Sequence, residues 1–358
     1  MKSATITDMQ ITPCDLSQED KDWRYAGGAI PTVTGWMVTL TLGTGVTGHG
    51  YSQAVGISSD TPAGAKAVLD ALVPVVVGQC PHNIERIWRD MDRCVHGHLH
   101  AKSGVDFALH ELSAKVLDVP LSTLFGGALT DSINNTRIVP ICDPKDAADK
   151  AAVLAAEGYR NLKIKMDGNA SLDVERLRLV RAKVGDDIRL CVDPNQSYST
   201  KGALMTLRQI EKYGVDLAEQ PVQARNLSGL KLLRENLDMH VEADEAVQNL
   251  DDVMKIIRAD AADCMNFKVS RMGGLRNTMI AARMCHVAGI GYRIGAAFGP
   301  RIYTAQIAHL VSSFGTHFYP HELAEFEHLG EDPSHGLAVK NGVLPVPDGP
   351  GCGVAVTL

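Results

Sequence analysis

The chain opens with apolar and polar positions alternating at a period of two. Thr5–Thr12 and Trp36–Leu42 are rich in β formers and glycines follow the second run, so residues 1 to about 60 are expected to form an antiparallel β region. Between these runs, Gln18–Thr32 is polar and carries Trp23, Tyr25 and the pair Gly27–Gly28, which reads as a mobile aromatic loop of the kind that covers ligands. From Thr61 to Leu124 the pattern becomes helical, with helices expected at Pro62–Val77, Ile84–Val95 and Lys102–Val116. From Ile133 onward strands and helices alternate. The expected strands are a run ending at Val139–Cys142, then Asn161–Met166, Ile188–Asp193, Leu217–Glu219, His240–Ala243, Cys264–Lys268, Tyr292–Ala296 and His317–His321. Helices are expected between them at Lys145–Glu157, Leu172–Val184, Lys201–Tyr213, Ser228–Glu235, Leu250–Arg258 and Leu275–Ala288. Repetition of this kind predicts stacked βα units closing into a barrel.

Five of these strands end in a charged side chain. Lys165, Asp193, Glu219, Asp244 and Lys268 follow one another at intervals of 24 to 28 residues. Residues two apart on a strand share a face, so Lys163 points with Lys165, and Asn195 with Asp193. A single strand-end acid often caps the following helix. Three on successive strands would instead meet at the C-terminal mouth of a barrel, where catalytic groups sit. Crowded carboxylates repel unless a cation compensates. Lysines can do so by ion pairing; three oxygen donors completed by water suit one Mg²⁺ per site. A lysine beside that ion and beside a second lysine gives up its proton more readily and becomes a general base. Lys165 precedes the acids and Lys268 follows them, one on each side of a bound substrate. A C–H bond α to a carboxylate needs such an arrangement, because its enediolate carries charge on oxygens that a Lewis acid stabilises.

The chain has 358 residues, 45% hydrophobic and 22% charged, enough for a barrel and a further domain. A net charge of −7 supplies no basic face for nucleic acid or anionic lipid. The opening MKSATITDMQ lacks the apolar core of a secretory signal, and no apolar run approaches a membrane span. Eight scattered cysteines without a Cys-x-x-Cys pair suit reduced thiols, and a cytoplasmic location is expected. Two motifs lead elsewhere. Gly43, Gly45 and Gly48 spell Gly-x-Gly-x-x-Gly, but strand-like residues follow and Asp60 comes too early for a dinucleotide site, so a hairpin turn is expected. His96, His98 and His100, set around a glycine and a leucine, do not converge as metal ligands and are read as a domain-boundary loop touching substrate.

Taken together, Lys163-x-Lys165, Asp193-x-Asn195, Glu219-Gln220-Pro221, Ala243-Asp244-Glu245 and Lys268 before Gly273–Gly274 resemble the enolase superfamily, and within it the muconate lactonizing enzyme subgroup. The resemblance implies an α/β fold: a modified (β/α)8 barrel (TIM type) over residues 128–325, an α+β capping domain over 1–127, and a C-terminal segment, 326–358, returning to the cap. It implies Mg²⁺ held by Asp193, Glu219 and Asp244, an acid–base pair of Lys165 and Lys268 supported by Lys163, and Asn195 and Glu245 behind the ligands. The mandelate racemase branch, with a histidine on the seventh strand, is disfavoured because Gly295–Gly299 holds Phe298 and no histidine. The stretch Gly97-His98-Leu99-His100-Ala101-Lys102, followed by Val105-Asp106, resembles hydroxyproline dehydratases and proline betaine epimerases. Trp23, Tyr25, His98, Lys102, Phe298 and Glu322 are the expected substrate contacts, with Glu322, near His321 and Glu325, set to bind a substrate ammonium. The expected reaction is dehydration or epimerisation of a small amino or imino acid, hydroxyproline-like, by a homo-oligomer. The alternatives are an N-acylamino acid racemase, an o-succinylbenzoate synthase or a cycloisomerase with the same core, and a Schiff-base barrel using one of the lysines covalently.

Overall fold

The computed structural model describes residues 5–54, 60–295, 298–314 and 318–358. β1 (Ile6–Pro13), β2 (Gly35–Leu42) and β3 (Thr47–Gln53) form an antiparallel sheet in that order. The Gly-x-Gly-x-x-Gly motif is the hairpin expected of it, with Gly45 at φ +85° in the turn between β2 and β3. Three helices follow: α1 (Pro62–Val76), α2 (Ile84–Cys94) and α3 (Leu99–Leu117). β3 lies directly on α3, since a Cβ at Gly50 would collide with the Gly104 carbonyl and one at Gly48 would stand 2.6 Å from that of Ala108. Only glycine permits this approach.

The second part is a seven-stranded parallel sheet in sequence order, curled into a barrel wall. Its strands and helices alternate: β4 (Thr136–Val139), α4 (Pro144–Ala156), β5 (Asn161–Lys165), α5 (Ala170–Val184), β6 (Arg189–Asp193), α6 (Thr200–Ile210), β7 (Val215–Glu219), α7 (Leu227–Asn236), β8 (His240–Ala243), α8 (Leu250–Ala259), β9 (Cys264–Phe267), the short α9 (Val269–Met272), α10 (Leu275–Ala288), β10 (Gly291–Ile294) and α11 (Arg301–Ser312). Asn169, Ser199, Asn226 and Asn249 cap α5 to α8 through their side-chain oxygens. With these caps in place the strand-end acids are not needed at the helix starts, which removes the capping explanation for Asp193, Glu219 and Asp244. Side chains such as Ile164, Val192, Ala218 and Val241 face the helices in the main core. Inside, Cys191, Leu217, Cys264 and Tyr319 plug the N-terminal end of the barrel.

The eighth strand expected at His317–His321 does not form over 318–321; His317, like Ala296 at the expected end of the seventh strand, lies outside the described residues. Pro320 has no N–H to carry a ladder onward. The segment instead bridges the gap between β10 and β4: Thr136 N donates to the His321 carbonyl (2.7 Å), and Glu322 N to that of Ile294 (3.0 Å). The loop expected to be mobile is built from short paired strands, Leu16–Gln18 with Thr32–Val33 and Arg24–Tyr25 with Gly28–Ala29, and the Arg24 carbonyl accepts from Ile141 N (3.0 Å). Near the C-terminus, Cys352 N donates to Glu111 Oε2 of α3 (2.9 Å) and Leu121 N to the Gly351 carbonyl (2.7 Å).

Candidate active site

The parallel register brings the charged strand ends together. Lys165 lies beside Asp193 across β5 and β6, and Glu219 beside Glu242 across β7 and β8. Lys165 Nζ donates to Asp193 Oδ2 (2.6 Å) and to Asn195 Oδ1 (2.8 Å). Asn195, at φ 42° just past β6, in turn donates through Nδ2 to Glu245 Oε1 (3.1 Å). On the opposite flank, Lys268 Nζ stands 3.3 Å from Asp244 Oδ2, and Arg271 Nη1 donates to Asp244 Oδ1 (2.8 Å). Gln220 Oε1 accepts from Asp244 N (2.9 Å) and Ala246 N (3.0 Å), so the Glu-Gln-Pro turn fixes the neighbouring strand end. Below them Lys163 Nζ joins Glu219 Oε2 (3.0 Å), Glu322 Oε2 (2.8 Å) and Asp193 Oδ2 (3.3 Å).

A cavity of about 300 Å³ opens above these groups. Lys163, Lys165, Asp244, Glu245 and Lys268 are on its polar side. Trp23, Tyr25, Ile138 and Phe298 give it an apolar and aromatic wall, with Trp23 set edge-on to Phe298 at 5.2 Å. Tyr25 turns its ring toward Lys165 Nζ, 5.8 Å from the ring centre. Gly295 keeps room for the second lysine, because a Cβ there would collide with Lys268 Nζ.

Burial by itself would raise the Asp244 carboxyl, yet Lys268 and Arg271 overcome it and hold the group well below the usual carboxylate range. Glu245 goes the other way, pushed up to about 8 by burial and by the charges of Asp244 and Asp193. Lys163 is buried, but Glu219, Glu322 and Asp193 keep its ammonium well above the ordinary value. His100 lines the cavity, and burial with the Arg271 charge lowers it to about 4.

Three expected contacts are corrected. Lys102 is fully buried in α3, where its amine pairs with Asp92 of α2 at 2.5 Å, away from the cavity. His98 sits in the left-handed region at the N-cap of α3 and is held by Asp60 through Nδ1 (2.6 Å). Glu322 lies under the cavity floor, joined to Lys163 and to Arg293 Nη1 (2.5 Å), and so is not placed to receive a substrate ammonium. Glu325 is likewise engaged, by Arg137 at 2.5 Å. Sequence reasoning missed Glu242, Asn266, Arg271 and Arg293. The signal was present for two of them, since Glu242 and Asn266 each stand two residues before a strand-end group on the same face.

The family described as "Enolase C-terminal domain-like" matches residues 146–357, and "Mandelate racemase / muconate lactonizing enzyme, N-terminal domain" matches residues 22–126. The N-succinyl-L-Arg/Lys racemase of Bacillus cereus is 30% identical over 73% of this chain and 71% of its own length. Its crystal structure superposes with a TM-score of 0.94 at 26% identity, covering 99% of this chain and 96% of that one. A chloromuconate cycloisomerase of Cupriavidus necator is 30% identical over 89% and 88% of the two chains. The cis-3-hydroxy-L-proline dehydratase of Roseibium aggregatum is 29% identical over 97% and 96%. The dipeptide epimerase of Enterococcus faecalis, solved in complex with Mg and the dipeptide L-Leu-L-Tyr, has a TM-score of 0.94 at 25% identity, covering 98% and 99%. No helix among the described residues is long and apolar enough to cross a membrane. The relatives are isomerases and lyases, and this chain is an enzyme of those kinds. With both of its parts matched, and with a (β/α)8-type barrel behind a separate N-terminal domain, the chain belongs to the mandelate racemase/muconate lactonizing enzyme family of the enolase superfamily.

Proposed function

We propose that the enzyme removes the α-proton of a small carboxylate substrate in a Mg²⁺-dependent reaction, leading to epimerisation or dehydration of an amino or imino acid. The observation that carries this reading is the placement of Lys165 and Lys268 on opposite flanks of the acids, Lys165 against Asp193 and Lys268 against Asp244, both at the cavity wall.

In the present arrangement no three Asp, Glu, His or Cys side chains among the described residues are drawn into a metal-holding group; each acid faces a cation of the chain. The donor set nevertheless fits the ion. Asp193, Glu219 and Asp244 are three buried hard-oxygen donors on successive strands, and Glu245 Oε2 is buried without a hydrogen-bond partner among the described residues. Asp193, Glu219 and Asp244 would hold the ion, and when bound it supplies the positive charge that a carboxylate needs as its α-proton leaves. Lys165 takes that proton from one face and Lys268 gives or takes one at the other. Lys163 neutralises Glu219 and keeps it in place, while the aromatic wall excludes water from the reacting carbon.

A compact ring carrying a carboxylate suits a cavity of this size, with its polar side under the carboxylate and its aromatic wall against the ring. The dehydratase relative that spans nearly the whole chain favours hydroxyproline-like substrates. The alternative keeps the same two lysines in an N-acylamino acid racemase, an o-succinylbenzoate synthase or a cycloisomerase.

Proline derivatives incubated in D₂O with enzyme and Mg²⁺ distinguish the outcomes by NMR. Epimerisation gives α-deuterium without loss of water, whereas dehydration releases a keto acid or cyclic imine. In Lys268→Ala, exchange is expected to persist from one enantiomer and to vanish from the other. Equal exchange of both would refute the opposed pair. A borohydride-trapped adduct with activity indifferent to chelator would favour a covalent lysine.

A further inference from the structure

β10 is buried along most of its length and carries one charged residue, Arg293. Arg293 is fully buried and turns into the barrel beneath the cavity. Nε donates to Glu242 Oε1 (2.8 Å), Nη2 to Glu242 Oε2 (2.6 Å) and to Glu219 Oε2 (2.5 Å), and Nη1 to Glu322 Oε1 (2.5 Å). Lys163 reaches the same Glu219 Oε2 at 3.0 Å, so two cations hold that oxygen from below. The other oxygen, Oε1, meets the Asn266 amide at 3.1 Å.

Lys163, shared with Glu322 and Asp193, already brings one positive charge to Glu219. An arginine adds direction, because its planar fork fixes the orientation of a carboxylate as well as its charge. Glu242 is fully buried and does not line the cavity, and among the described residues its side-chain hydrogen bonds are with the Cys264 thiol (3.4 Å) and with Arg293. A buried pair of this kind contributes little net stability compared with apolar side chains of the same size, so stability does not account for its presence. We propose that Arg293, steadied by Glu242, is a positioning residue for Glu219, fixing which carboxylate oxygen faces the barrel mouth and thereby setting the affinity for Mg²⁺. This rests on the Mg²⁺ reading above.

The paired variant Glu242→Met with Arg293→Met removes the device without changing the formal charge, and leaves Lys163 as the cation shared by Glu219 and Glu322. Thermal unfolding reports whether the fold is kept, and calorimetric titration with Mg²⁺ alone reports the affinity. The expected result is a folded protein whose Mg²⁺ dissociation constant rises by about 10–100-fold, the range for groups that orient metal ligands. Arg293→Lys, which keeps the charge and loses the fork, is expected to fall between this variant and the parent. A folded double variant that binds Mg²⁺ as the parent does would overturn the proposal. Where the double variant does not fold, Arg293→Lys decides: weakened binding supports the role, and parental binding overturns it. A parent enzyme that takes up no Mg²⁺ would count against the proposed function itself.

Discussion

Replacing Lys165 by alanine is expected to lower α-proton exchange by about 10²–10⁴-fold, the contribution of a well-placed general base. The amine is held by Asp193 Oδ2 and Asn195 Oδ1 at 2.6 and 2.8 Å, under the Tyr25 ring. The other two amines at the site are placed elsewhere, Lys163 in the ion-pair layer below and Lys268 across the cavity beside Asp244. Truncation at a cavity wall leaves the core packing in place, so Mg²⁺ uptake by calorimetry should persist while NMR exchange of the enantiomer whose α-proton faces Lys165 falls by that factor. A Lys165→Ala enzyme with parental exchange rates would show that the proton is taken by another group.

Lys163→Met is expected to act on stability rather than on chemistry alone. Lys163 is fully buried and joins Glu219, Glu322 and Asp193; without it, Glu219 and Glu322 depend on Arg293 alone among these cations, and Asp193 loses one of its two amines. Removing one partner from a buried charge cluster costs roughly 3–5 kcal/mol. The ammonium is held above its ordinary value in the folded protein. Its contribution is therefore fully present below the unfolded-state value near 10.4 and is lost only as the pH rises through the folded one. Urea unfolding at neutral pH measures the effect as a lower midpoint at similar slope. A midpoint within error of the parent would mean that the acids do not need this amine.

The barrel and its charged mouth are legible because strand ends obey a short rule. Once residues 161–165, 189–193 and 215–219 are recognised as strands, alternation alone directs Lys163, Lys165, Asp193 and Glu219 inward. Pairing inside the barrel is a different matter. Arg293, between Tyr292 and Ile294, looks like an interruption in an apolar strand, and nothing local says that its three partners lie on β7, on β8 and in the segment closing the barrel. The misplaced contacts on α3 have a more local cause. The helix starts at Leu99 rather than Lys102, behind a left-handed His98, and that entry turns His100 to the cavity and Lys102 toward Asp92. Side-chain spacing reveals neither a left-handed entry to a helix nor which neighbours its faces meet.

The proposed chemistry depends most on where a divalent ion settles. Crystals grown with Mn²⁺, which accepts the same oxygen donors and scatters anomalously, read this directly. The expected map has one anomalous peak in contact with Asp193, Glu219 and Asp244, with the amines of Lys165 and Lys268 on opposite sides of the cavity above it. No peak among those three carboxylates, or a peak ligated elsewhere in the chain, would contradict the account.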